Sequence, residues 1–248
     1  MTHALRTSDL GKHFGGVRAV TGVSLALPRG ARHAIIGPNG AGKTTLINLL
    51  TGMLAPSEGE VYLGEDRITR LRPDQRVKRG LARTFQINNL FPDLTVIQCV
   101  LLAVCEQRGA GVDPWRSVAR CDAEITAARE VLRLLRLERA ENTVVRELAY
   151  GDQRLVEIGL ALACRPRVLL LDEPAAGVPK SESQALFRAI ADLPGEVTVL
   201  FVEHDMDIVF RFAQRITVLV SGSILTEGPP EQIARDPTVK QVYLGGRA

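Results

Sequence analysis

The stretch Gly37-Pro38-Asn39-Gly40-Ala41-Gly42-Lys43-Thr44 constrains this 248-residue chain more than any other. It fits the spacing GxxxxGK[ST]. Arg32 to Ile36 ahead of it reads as a buried strand, and Lys43 to Thr51 behind it as a helix. Strand, glycine-rich turn and helix in that order build a ring of backbone N–H groups around an anion. The glycines let successive amides face inward with no Cβ in the way, and the helix N-terminus adds partial positive charge. A nucleotide phosphate suits such a ring. Lys43 is placed to reach the β- and γ-phosphates, and the Thr44 hydroxyl to bind Mg²⁺.

Two more apolar strands end in chemistry. Val168-Leu-Leu-Leu runs into Asp172 and Glu173, and Val197 to Val202 runs into Glu203, His204 and Asp205. An acid at the carboxyl end of a strand can hold Mg²⁺ through water, a role that falls to Asp172. The next residue points elsewhere, so Glu173 is the candidate general base or water-positioning group. His204, beside the same site, is the candidate to hydrogen-bond the γ-phosphate or the attacking water. His3, His13 and His33 have no comparable setting and read as structural.

Strand-like and helical runs alternate, which indicates an α/β fold. Between Asn89 and Cys164 the character changes. Ile125, Ala128, Val131, Leu132 and Leu135 recur at helical spacing, and Gly109 to Pro114 reads as a loop breaking the helices. One α/β core with an inserted helical subdomain is therefore expected. The longest apolar-rich run, Val96 to Cys105, contains Gln98 and is about half the length a bilayer crossing needs. Met1 to Gly16 carries no apolar stretch of signal-peptide length. A chain of this kind serves a membrane only through partners, from the cytoplasmic side. A net charge of +3 is too small to indicate a nucleic-acid binder. Cys99, Cys105, Cys121 and Cys164 show no metal-ligand or disulfide spacing and read as reduced thiols.

With these residues in place the sequence resembles the ATP-binding cassette family over nearly its whole length. Gly37 to Thr45 matches the Walker A motif, Val168 to Glu173 the Walker B motif, and His204 the switch histidine. The resemblance implies further roles. Gln86, in Arg83-Thr-Phe-Gln86, stands at the Q-loop position, touching Mg²⁺ or water and reporting nucleotide state to membrane subunits. Phe14 stands where an aromatic stacks on adenine. Leu148-Ala149-Tyr150-Gly151 stands at the signature segment, which binds the γ-phosphate of ATP held by the other subunit and is followed here by a helix over Leu155 to Ala163. Here the sequence departs from the common form. Ala149 replaces a serine, Tyr150 a glycine and Asp152 a glutamine, a pattern similar to the ATPases of branched-chain amino acid uptake. Ala175 to Lys180 also lacks the usual acid or amide of the D-loop. The endings Gly228 to Ile233 and Val239 to Gly245 resemble the same branch.

The implied fold is a P-loop NTPase (RecA-like) core with an N-terminal antiparallel β part and an inserted α-helical subdomain. It makes one nucleotide-binding domain over 1–248, with the core at 1–88 and 165–248 and the helices at about 89–164. The implied function is ATP hydrolysis driving import of a small solute, such as a branched-chain or other hydrophobic amino acid. ATP and Mg²⁺ are the implied ligands. Transmembrane permease subunits and a second ATP-binding subunit, identical or homologous, are the direct partners, and a solute-binding protein is an indirect one. The protein is expected at the cytoplasmic face of the membrane, as a peripheral subunit. An exporter of the lipopolysaccharide type remains the alternative. A cassette acting on nucleic acid is more remote, since the chain has no sustained heptads and no Cys-rich hook.

Overall fold

The computed structural model describes residues 3–84, 90–109 and 122–244. Gln86, Cys121, most of the loop expected after Gly109, and Gly245 lie outside them. The chain divides into two compact units. The first takes Met1–Arg83, Arg167–Pro174 and Pro194–Ala248, and the second takes Thr84–Pro166 and Ala175–Leu193. The helical unit thus draws on 175–193 as well as on the inserted stretch. Arg83 is the last residue before the chain first passes between the units.

In the first unit β1 (His3–Phe14), β2 (Val17–Val23), β3 (Ala26–Pro28), β5 (Glu58–Leu63) and β6 (Asp66–Arg67) form an antiparallel sheet. A second sheet has the order β11-β10-β4-β9-β8-β7 among the described residues. Its strands are β4 (Arg32–Ile36), β7 (Leu81–Arg83), β8 (Val168–Asp172), β9 (Thr198–Val202), β10 (Arg215–Val220) and β11 (Ser223–Gly228). Pairing is parallel from β10 to β7, and β11 closes the edge antiparallel. Every residue of β4, β8 and β9 is buried, as in parallel strands covered on both faces, and the polar ones among them are Arg32, His33, Asp172 and Thr198.

Helix α1 (Lys43–Thr51) buries Leu46, Ile47, Leu49 and Leu50 against this core, each worth about 1.5–3 kcal/mol. Its far end is closed by Arg76 of α2 (Pro73–Lys78), a fully buried guanidinium. Nη1 donates to the carbonyls of Leu49 and Leu50, Nη2 to Thr69 and Nε to Leu71, at 2.6–3.0 Å. Burial brings its pKa down to about 10, so it stays charged at neutral pH. It meets the negative end of the helix dipole where the last carbonyls lack helical partners. Helices α7 (Met206–Phe212), α8 (Pro230–Arg235) and α9 (Pro237–Leu244) complete the unit.

The second unit is helical: α3 (Val96–Gln107), α4 (Asp122–Leu134), α5 (Tyr150–Ala163) and α6 (Lys180–Ala191). Thr95 opens α3 with a reciprocal capping box to Gln98. Val96, Cys99, Val100 and Val104 then face inward, as do Ala128, Val131 and Leu132 of α4. Helix α5 begins at Tyr150, earlier than the Leu155 start read from the sequence, because Gly151 and Asp152 lie inside its first turn. No described helix is long and apolar enough to cross a membrane.

His33 is buried on β4, its Nε2 2.7 Å from Thr217 Oγ1 on β10. Burial depresses its pKa from 6.5 to about 4; the nearby Glu227 opposes the shift and Arg215 adds to it. Between those values the unfolded chain binds a proton that the folded chain refuses, so stability falls as pH drops through the window. The expected loss from this group is about 2 kcal/mol at pH 5 relative to pH 7. Urea denaturation at both pH values checks it, since His33→Gln should remove most of that difference.

Candidate functional site

The carboxyl ends of three adjacent parallel strands bring the first group together. Ile35 of β4 pairs with Val202 of β9, and Val202 pairs with Asp172 of β8. The turns leaving the three strands carry Gly37, Glu173 and His204, so residues far apart in sequence emerge side by side, where α/β sheets place ligands.

Gly37 to Gly42 makes the first turn. Gly42, the N-cap of α1, has φ of 97°, and a Cβ there would stand 2.4 Å from the carbonyl oxygen of Ala19. Both the left-handed backbone and the contact with β2 require glycine. Helix α1 has no side-chain cap and no acid in its first turn. Its leading amides are therefore left for an outside anion. The Lys43 ammonium donates to the carbonyls of Gly37 (2.7 Å) and Pro38 (3.0 Å), which uses two of its three N–H groups. Burial lowers its pKa, opposed by Glu173 and then Asp172. Pro38 is half-buried, Asn39 and Gly40 are exposed, and Ala41 is buried; Thr44 is exposed on the first helical turn with Thr45 half-buried beside it.

Asp172 is 3% exposed. Its Oδ2 accepts from Arg83 at 2.8 Å, and its Oδ1 is buried with no hydrogen-bond partner among the described residues. Burial raises its pKa against the pull of Arg83. A buried carboxylate oxygen with no partner, and an exposed threonine hydroxyl on the first turn of α1, fit a small hard cation, which takes oxygen ligands and keeps several waters. Thr44 and Asp172 are the described residues that would hold Mg²⁺.

Glu173 carries a positive φ of 50°, uncommon for a residue with a side chain, while its N–H donates to Val202 at 3.0 Å. That conformation turns its carboxylate toward His204, where Oε1 meets Nε2 at 2.6 Å. His204 is held just past β9, and the next residue, Asp205, caps α7 by accepting from the amides of Asp207 and Ile208. Phe14 is 49% exposed at the end of β1, ruling out a core role. Its ring lies 5.3 Å from the Lys12 ammonium, and it pairs with Val17 at the start of the strand that runs back to Ala19.

In the second unit, Leu148 and Ala149 lead into α5, which also lacks a side-chain cap from its N-cap residue, Ala149. Here, however, the Gly151 amide is engaged, donating to Glu182 Oε2 of α6 at 2.9 Å. Asp152 has its pKa raised by burial and then by Glu182. The Tyr150 hydroxyl accepts from Arg154 at 2.8 Å, and Arg154 also donates to the Ala176 carbonyl. The Tyr150 ring lies against Gly177, whose φ of 78° and lack of a side chain leave room for it. Two of the departures from the common family pattern, Tyr150 and the 175–180 segment, therefore touch each other. Sequence reading missed Arg83, Asn48 and Glu182. Arg83 offered a signal, as a charged residue ending an apolar strand; Glu182 offered none.

A phosphate cradle, a carboxylate with a free oxygen and a carboxylate–histidine pair at neighbouring strand ends are the parts of a nucleotide-hydrolysing cassette. The ABC transporter family model matches residues 20–176. The chain belongs to that family and is an ATP-binding cassette whose ATP hydrolysis is coupled to transport. A second model, the branched-chain amino acid ATP-binding cassette transporter, matches residues 223–248. The chain is 40% identical to the high-affinity branched-chain amino acid transport ATP-binding protein LivG of Salmonella typhimurium, over 97% of both chains. It is 39% identical to the corresponding protein BraF of Pseudomonas aeruginosa, again over 97% of each. Among solved structures, an ATP-binding cassette in its ADP conformation superposes with a TM-score of 0.86 at 32% identity, covering 99% of this chain and 100% of that one. A dimeric cassette in a post-hydrolysis state with ADP and Pi gives 0.73 at 27% identity, covering 91% and 98%.

The tight fit at Gly42 has a measurable consequence. Gly42→Ala should cost about 1–3 kcal/mol through backbone strain. That corresponds to a thermal midpoint about 4–8 °C lower for a loss of about 2 kcal/mol. A calorimetric scan of the purified variant checks it.

Proposed function

We propose that this chain is the ATP-hydrolysing subunit of an importer of branched-chain or other hydrophobic amino acids. It works in a pair with a second ATP-binding subunit, beneath transmembrane permease subunits at the cytoplasmic face of the membrane. A solute-binding protein delivers the solute to those subunits. The Glu173–His204 contact beside the uncapped end of α1 carries the hydrolytic part of this reading. The likeness to LivG and BraF over almost the full chain supports the solute class.

In this reading the adenine stacks on Phe14, and the phosphates lie over Gly37 to Thr45, with amide N–H groups and Lys43 on the β- and γ-oxygens. Bound Mg²⁺, held by Thr44 and Asp172 with Gln86, would neutralise phosphate charge. Glu173 polarises the attacking water and takes its proton, while His204 holds the water or a γ-oxygen through Nε2. Leu148 to Gly151 binds the γ-phosphate of ATP held on the other subunit. In the isolated chain the Gly151 amide already has the Glu182 carboxylate as acceptor, so the incoming phosphate displaces one anion with another.

Glu173→Gln should bind ATP normally and hydrolyse it on the order of 10²–10⁴-fold more slowly. With Mg²⁺ and ATP it should accumulate as a pair on sizing chromatography, and an active variant that stays single would sink the role given to Glu173. Solute class is tested separately by leucine uptake in cells that depend on this subunit. Glu182→Gln weakens a charge-assisted hydrogen bond of about 1.5–3 kcal/mol. In the Glu173→Gln background it should lower the ATP concentration needed for pairing, by roughly tenfold. Unchanged pairing would mean that Glu182 does not compete for that amide.

A further inference from the structure

Arg83 takes no part in the cradle or in the Glu173–His204 pair, yet it forks across the site's foundations. Nη2 bonds Asp172 Oδ2 at 2.8 Å and Nη1 bonds Asn48 Oδ1 at 2.6 Å. Its side chain is 13% exposed and that of Asp172 is 1% exposed. The strand register explains the reach. Arg83 pairs with Leu170 on the parallel neighbour β8, and Asp172, two residues on, projects from the same face of the sheet. Asn48 lies on α1, the helix whose first turn carries Lys43 and Thr44.

We propose that Arg83 is a positioning residue for ATP hydrolysis, bracing α1 against β8 so that Asp172 presents Oδ1, and not Oδ2, to the divalent cation. The inference rests on the reading of Asp172 and Thr44 as cation ligands. One arm of the guanidinium occupies the oxygen that must stay out of the way, which leaves the other free and buried. The second arm fixes the helix bearing the threonine. Only a planar fork does both at once; an ammonium would satisfy one partner and release the other. A role in stability alone does not follow from the burial of this ion pair, because replacing buried pairs by apolar residues is often neutral. A purely electrostatic role makes the opposite prediction, since deleting a cation beside a carboxylate should tighten a divalent ion.

That difference in sign is what the experiment reads. Mn²⁺, standing in for Mg²⁺, is titrated by electron paramagnetic resonance into the full chain with a non-hydrolysable ATP analogue. Arg83→Gln and Arg83→Lys should both raise half-saturating Mn²⁺ on the order of 10- to 100-fold, the range for groups that orient a metal ligand. Metal-free binding of the analogue should stay within about twofold. Asn48→Ala, which leaves the Asp172 pairing intact, should show a smaller loss and serves as the readout if either arginine variant fails to fold. Mn²⁺ affinity that is unchanged or tighter in Arg83→Gln overturns the inference, as does full rescue by Arg83→Lys. Asp172→Asn is the control for the underlying reading. If it binds Mn²⁺ normally, the assignment of Asp172 fails; if it loses Mn²⁺ while the Arg83 variants do not, only the role of Arg83 fails.

Discussion

Strand β9 lies between β4 and β8, and its register against both decides where three turns leave the sheet. Shift either pairing by one residue and the alternation of side chains would send Asp172 or its neighbours to the opposite face. The complete burial of β4, β8 and β9 is what holds that register, because both faces of each strand are covered. The chemistry at the strand ends depends on packing several residues below it. Arg83 extends the same logic one strand outward, using its pairing with Leu170 to reach Asp172.

The cradle was legible because its geometry is carried by the backbone. A glycine spacing between a strand and a helix specifies amide positions almost without reference to the rest of the chain. Arg32–Ile36, Lys43–Thr51 and Val168–Asp172 accordingly appear with the bounds expected of them. Residues that act through partners distant in sequence were not legible. Arg83 and Asp172 are 89 positions apart, and Gly151 and Glu182 are 31 apart. Nothing local to either partner announces the other. The same limit explains the early start of α5: Gly151 is a poor helix former, but the packing of Tyr150 on Gly177 and the bond from the Gly151 amide to Glu182 settle the first turn.

Glu173 shows a different kind of hidden information. Its place after an apolar strand marked it as a candidate, yet its left-handed backbone could not be read from its identity, which disfavours that conformation. The strain is maintained by the hydrogen bond that the Glu173 N–H donates to the Val202 carbonyl, and it brings the carboxylate onto His204. Strain held by surrounding structure at a candidate catalytic side chain is the usual form of such an outlier.

Helix α1 is finished at one end only. Arg76 closes its last carbonyls with a permanent charge, while Gly42 offers its first amides nothing. An anion bound there completes the hydrogen bonding of a secondary-structure element that the polypeptide leaves incomplete. In that sense a phosphate is a missing residue of the fold, supplied from solution at whatever concentration prevails. Folding and ligand occupancy are then one linked equilibrium, and the stability of this core rises with the logarithm of the ligand present. It also follows that damage at Arg76, some thirty positions along the chain from the cradle, would register as a binding defect by loosening the helix from behind.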